Sequence, residues 1–228
     1  MNIVPFLEFT LNSRYITRWL YAGLILYIPI LWFFSLGFLS RTSRLVIIGG
    51  IGLPTWQEKY ETWIEGVKLL FIFILYNAIT LFLFSCGFFL ISLNIFTAFF
   101  GHILKISSYV ALIVCTFPVP FAFVTFAEKM DFKEAFEFEK IFKGVKEVFF
   151  EYLIGYIVAL CGLCLCLLIM RIPYLIGLIG LIPASILSYY ILLVSTYYFT
   201  ELYKRTSLAP VRMDAETENA TGNLDAEL

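Results

Sequence analysis

The chain has 228 residues, 61% of them hydrophobic and only 14% charged, with a mean hydropathy of +0.90; soluble domains carry roughly 25% charge, so this composition fits a bilayer rather than water. Sixteen Lys and Arg against 17 Asp and Glu leave a net charge of -1, which gives no electrostatic footprint for nucleic acid. One histidine, His102, and five cysteines leave little material for a metal centre, a cofactor or a nucleophile, and no cofactor is expected.

Uncharged runs cover residues 19–40, 69–104, 106–127, 152–170 and 172–200. A helix needs about 20 mainly apolar residues to span a hydrocarbon core of about 30 Å. The expected fold is therefore all-α: a polytopic transmembrane helix bundle of about five crossings, with four to six possible, and two interfacial amphipathic helices. The first run follows Arg14 and Arg18, is longer than a signal-peptide core and lacks a small-residue cleavage site, so it is expected to remain in the mature protein. Pro29 within it predicts a kink or a re-entrant turn. The run 69–104 is too long for one straight crossing. It is expected to break near Ser85–Gly87 or Ser92–Asn94, leaving 95–105 as an interfacial or re-entrant piece.

Between the first two runs, Thr55 and Glu58 fit a capping box that predicts a helix start just after Pro54. Trp56, Tyr60 and Trp63 then share one helical face at the headgroup level, with Gln57, Glu58, Glu61 and Glu65 left wet. Lys68 marks the water edge of the next crossing. Pro54, Trp56, Trp63 and Lys68 are accordingly expected to be interfacial anchors. A second amphipathic helix is predicted over 131–152, where Ala135, Phe138, Phe142, Val145, Phe149 and Tyr152 recur at spacings of three and four. Its opposite face mixes lysines with glutamates, which suits a cytoplasmic surface helix better than a basic lipid-selecting patch.

At membrane depth the polar or kink-forming candidates are Asn77, Pro118, Pro120 and Arg171. Hydrogen bonding between helices is the expected role of Asn77, and kinking that of the prolines; a solute pathway is the alternative. Arg171 opens the turn "RIP" between the last two helices and is expected to snorkel to headgroups. Gly155, Ala159 and Gly162, then Gly177, Gly180, Ala184 and Ser188, form small-residue stripes that predict a packed final hairpin. Cys161, Cys164 and Cys166 are read as small packing residues, since no His or carboxylate joins them nearby.

Five crossings place Arg14, Arg18, Lys105 and Arg171 on one side and most other cations on the second, which the positive-inside rule makes cytoplasmic. A re-entrant hairpin over 19–40 would strengthen that bias and put the N-terminus inside. Residues 1–205 form the expected integral membrane domain, with residues 206–228 a disordered acidic cytoplasmic tail. The protein is thus expected in the cell membrane, with the lipid bilayer and a membrane-protein partner or a second copy as its surroundings.

The segment "GFLSRTSRLVIIGGIGLPTWQEKYETWIEGVKLLFIFILY" resembles membrane proteins of domain-of-unknown-function family 4013, found mainly in archaea and some bacteria. The likeness rests on Gly37 with its aromatic neighbour, Arg41, Arg44, Leu53-Pro54-x-Trp56, Gly66-x-Lys68 and Tyr76. It extends through Ala135-Phe136, Ile172-Pro173 with Gly177, and the aromatic end near Tyr203. The resemblance implies an uncharacterised polytopic membrane protein and carries over no catalytic residue. The functional expectation is a non-enzymatic membrane scaffold or accessory subunit, with a small transporter or channel as the alternative and a membrane enzyme third.

Overall fold

The structure, a computed structural model, describes residues 10–50, 52–171 and 181–209. All regular secondary structure among them is helical. Its main framework is three antiparallel helix pairs whose open ends are drawn together by shorter connecting elements.

The first pair is α1 (Ser13–Ile25) and α2 (Trp32–Ile47). Residues 19–40 are therefore not one crossing: the chain reverses through Leu26–Leu31. Pro29 withholds a backbone donor there, and Ile30 takes a left-handed φ of 72°, a conformation costly for a β-branched residue. Ser35 Oγ donates to Ala22 O at 2.7 Å across the pair. At about 1.5 Å per residue the two helices are roughly 20 and 24 Å long, each short of a full hydrocarbon core.

Next comes α3 (Lys59–Tyr76), which bends by 62° at Asn77 into α4 (Ala78–Leu93). The chain then reverses at Asn94 into α5 (Ile95–Thr116). Of the two expected breaks only the one at Ser92–Asn94 forms, while Ser85–Gly87 stays helical. Residues 95–105 are likewise not a separate piece but the first half of α5. Asn94 explains the site of the break: its Oδ1 accepts from Phe96 N and Thr97 N, both at 3.0 Å, and Thr97 Oγ1 accepts from Asn94 N at 3.2 Å. This capping box closes a one-residue turn. Gly87 and Gly101 face each other where α4 and α5 pack, and a Cβ on Gly101 would lie 2.7 Å from Gly87 O.

The third pair is α8 (Phe149–Arg171) and α9 (Leu181–Tyr203). Gly155 receives the Tyr198 ring and Gly162 lies against Ile191, so the expected final hairpin is present. The "RIP" turn itself, with Gly177 and Gly180, lies outside the described residues. The stripe on α9 serves a different neighbour from the one expected. Ser185 Oγ donates to Gly23 O at 2.5 Å and Ser188 Oγ lies 2.8 Å from Tyr27 OH, both on the α1 side.

The connecting elements are α6 (Val119–Lys129), a 3-10 turn (Glu134–Phe136) and α7 (Phe138–Glu147). The helix predicted over 131–152 is thus divided, with breaks at Glu137 and Val148. Ala135, Val145 and Tyr152 are buried as their spacing suggests, but Phe138, Phe142 and Phe149 are exposed and Ile141 and Gly144 are buried instead. The break at Glu137 shifts the stripe: Tyr76 OH donates to Ala135 O at 2.7 Å and its ring stacks on Phe136, holding the chain outside helical geometry.

Cross-links join the open ends. Ser43 Oγ lies 2.8 Å from Thr200 Oγ1, Tyr203 OH donates to Glu128 Oε2 at 2.7 Å, and Arg205 Nη1 is 3.2 Å from Glu151 Oε2. Phe121, Phe126, Tyr152, Leu202 and Tyr203 fill the larger of two buried clusters beside these links. Three helical stretches, Ile95–Lys129, Phe149–Leu168 and Leu181–Tyr203, are long and apolar enough to cross a membrane, and the bent pair α3–α4 would make a fourth.

Candidate functional site

The polar site that stands out is where α2 crosses α3. Gly37 and Gly66 make that crossing possible: a Cβ on Gly37 would fall 1.8 Å from Thr62 O, and one on Gly66 1.8 Å from Phe33 O. Backbone therefore touches backbone. The contact brings Arg41 against Glu58, Glu61 and Glu65, whose spacing sets them along one side of the chain entering and forming α3. Arg41 Nη1 donates to Glu58 Oε2 at 2.7 Å, Nη2 donates to Glu61 Oε2 at 3.2 Å, and Nε makes an ionic contact with Glu65 Oε1 at 3.3 Å. Glu58 and Glu61 are largely exposed, whereas the Glu65 side chain is only 6% exposed. Its Oε2 is buried without a hydrogen bond among the described residues.

Beside this cage an open cleft of about 520 Å³ is lined by Arg18, Arg41 and Arg44, with Leu45, Leu53 and Glu58 among its walls. Arg18 Nη1 donates to Leu53 O at 2.7 Å and its guanidinium lies over the Tyr15 ring. Arg44 is exposed and makes no hydrogen bond or ion pair with a described residue.

A second charged cluster closes the 129–140 segment. Glu134 accepts from Lys129 through Oε1 and from Lys140 Nζ through Oε2 at 2.7 Å, and Lys140 also reaches Glu137 at 3.2 Å. Hydrogen bonds from Lys129 and Lys140 hold the Glu134 carboxyl below its usual 4.5, while Glu134 pushes the Lys140 ammonium up from its usual 10.5. The carboxylate therefore contributes stability above about pH 4.5 that is lost as pH falls through its lower folded value; the Lys140 contribution is present below pH 10.5. Protection of residues 131–147 against hydrogen exchange, taken relative to the intrinsic exchange rate at each pH, is expected to fall as pH is lowered below 4.5 while α4 and α5 stay protected. Unchanged protection in 131–147 would show that the cluster does not fix the segment.

The expected anchors separate. The helix begins at Lys59 with no side-chain cap, so the Thr55–Glu58 box is not formed and Trp56, Tyr60 and Trp63 do not share a helical face. Arg41 takes the Glu58 carboxylate instead. Trp56 turns inward, stacked on Phe38 at 4.7 Å and edge-on to Tyr21 at 5.7 Å. Trp63 packs on Phe33 at 5.5 Å, Tyr60 points outward, Pro54 lines the cleft, and Lys68 is half-buried on α3.

Among the described residues Asn77 bonds to no other helix: its Nδ2 donates back to Phe73 O at 2.9 Å, at the bend. Pro118 and Pro120 lie where α5 gives way to α6. Pro118 has no N–H for Val114 O, and Phe117 N turns to that oxygen, which frees Ile113 O. Tyr156 OH fills the gap, donating to Ile113 O at 2.8 Å and lying 2.6 Å from Thr116 Oγ1, while Tyr152 OH donates to Phe117 O. Tyr156→Phe is expected to cost about 1 kcal/mol, read as a lower unfolding midpoint in detergent. No change would mean that the break needs no hydroxyl. Arg171 ends α8, its side chain outside the described part. Cys161 and Cys164 are exposed and Cys166 is buried, and no metal-ligand cluster occurs among the described residues.

Sequence reading missed Arg18 as a cleft residue and Glu65 as a buried one. The available signal was Arg41 on one helix facing Glu58, Glu61 and Glu65 at matching spacing, with Gly37 and Gly66 between them.

Paired apolar helices, glycine contacts and ion pairs gathered near the open ends fit the class of multi-pass helical membrane proteins. The chain belongs to the family described as Protein of unknown function (DUF4013), whose model matches residues 20–179, well over half of the sequence. No curated protein and no solved structure matches it.

Proposed function

We propose that the chain is a non-enzymatic membrane scaffold or accessory subunit, held in the cell membrane by helical hairpins that enter from the cytoplasmic side. Arg18, Arg41, Arg44, Lys129, Lys140, Lys204 and Arg205 all belong to the open ends of the pairs, which the positive-inside rule assigns to the cytoplasm together with residues 206–228. In this arrangement α1–α2 is re-entrant, α3 lies along the surface and α4 dives after the bend at Asn77.

The observation that carries the reading is the α4–α5 hairpin. It touches the rest of the chain mainly where α3 leads in and α6 leads out, and its outward faces expose Phe82, Phe88, Phe89, Phe96, Phe99 and Phe100. A free-standing hairpin of this kind is a surface for lipid and for a neighbouring membrane helix. Native mass spectrometry of protein extracted from its own membrane in mild detergent is expected to retain a stoichiometric membrane-protein partner or a second copy. A solitary chain that carries solute across reconstituted vesicles, or turns over a headgroup substrate alone, would overturn the proposal.

A small transporter or channel is the competing reading, favoured by the helix break at Pro118 and Pro120. The tyrosine hydroxyls that occupy Ile113 O and Phe117 O weigh against it, since they engage the backbone oxygens a solute would use.

A further inference from the structure

We propose that the cleft between α1, α2 and the loop before α3 binds a phosphate ester through Arg18 and Arg44. Three observations support this site. The cleft, at about 520 Å³, is large enough for a phosphate with its attached glycerol or sugar. Arg41 is engaged by three carboxylates, which leaves Arg18 and Arg44 as the cations able to answer a ligand. Arg44 makes no hydrogen bond or close ion pair with a described residue and acts on Glu65 only through the longer-range field of its charge, and Arg18 spends only one of its five donors on Leu53 O. A guanidinium presents a planar fork that matches two phosphate oxygens.

The walls fit the remainder of such a ligand. Leu45, Ile48 and Leu53 line the cleft beside the arginines, so an apolar stem can leave the phosphate along them. Arg18, Arg41 and Arg44 are formally balanced by Glu58, Glu61 and Glu65, so selection must come from the arrangement of donors and not from a diffuse basic patch. The phosphate could belong to a lipid headgroup or to a soluble compound. The inference does not depend on the scaffold role: it can fail while that role stands, and the reverse.

The test uses the full chain in mild detergent. Added phosphatidylglycerol is followed by native mass spectrometry, and inorganic phosphate is titrated separately by calorimetry. Arg44→Gln is expected to weaken binding roughly tenfold or more. Arg18→Lys, which can still donate to Leu53 O, should weaken it several-fold, whereas Lys146→Gln on α7 should stay within about twofold. Saturable binding of the lipid but not of phosphate assigns the site to a headgroup; binding of both assigns it to phosphate itself. Binding of neither, or equal losses in Arg44→Gln and Lys146→Gln, would overturn the inference.

Discussion

Gly66→Ala will lower the stability of the protein by about 3 kcal/mol, at the upper end of what an overpacked contact ordinarily costs, and Gly37→Ala will do nearly the same. The obstacle is backbone on both sides. A Cβ on Gly66 would sit 1.8 Å from Phe33 O and 2.9 Å from Gly37 N, where side-chain carbons do not approach below 3.0 Å. No rotamer change can relieve that, so α2 and α3 must separate. Separation also forfeits the close facing of Cα–H groups and carbonyls and loosens Arg41 from Glu65. Tryptophan fluorescence during denaturant unfolding in detergent reports the result, since Trp63 packs directly on Phe33. An alanine at either position with unchanged stability would mean that the helices do not cross there. Gly162, whose nearest neighbour is an Ile191 methyl at 3.2 Å, should accept alanine at much smaller cost.

Arg41→Ala is expected to cost about 3–5 kcal/mol, the usual range when one partner of a buried ion pair is removed. Three carboxylates would then face a space with no cation between them, and Glu65 is too enclosed for water to replace the guanidinium. The three should not matter equally. Glu58→Gln should cost under about 1 kcal/mol because that side chain is 63% exposed and its ion pair is screened. The double change Arg41→Met with Glu65→Leu should recover much of the loss, since an apolar pair of similar volume removes both desolvation penalties. If Arg41→Ala were no worse than Glu58→Gln, the cage would be a solvated surface feature.

Which parts were legible follows from the range over which each signal acts. Hydrophobic runs are local, so the apolar stretches and the final hairpin could be read directly. Chain reversals inside a run were harder, because Pro29 and Asn94 are single residues and each allows either a kink or a turn. Asn94 gave the firmer clue, with Thr97 three residues on completing its cap. The Thr55–Glu58 pair carried the same pattern and misled, because Arg41, seventeen positions earlier, competes for the carboxylate at 2.7 Å. No local rule can weigh that partner.

The divided helix at 131–152 failed for a similar reason. Its apolar spacing is genuine, but Tyr76 from a distant segment captures Ala135 O and moves the start of α7 to Phe138. The cleft was the least legible feature of all. Arg18 reaches it only because the first run reverses, and a single straight crossing would have carried the N-terminal arginine to the opposite side from Arg41 and Arg44.

The turn at Asn94 bears on biogenesis. A hairpin that inserts into a bilayer as a unit must carry its tip through the hydrocarbon, and every open polar group on the tip adds to the barrier. Here the tip is one uncharged residue. Its side chain satisfies two free donors in the first turn of α5, Phe96 N and Thr97 N, and Thr97 Oγ1 returns a hydrogen bond to Leu90 O at 2.9 Å, one of the carbonyls left open at the end of α4. The hairpin arrives with these tip groups already paired, so it can partition as a pre-formed pair with no hydrophilic loop to translocate.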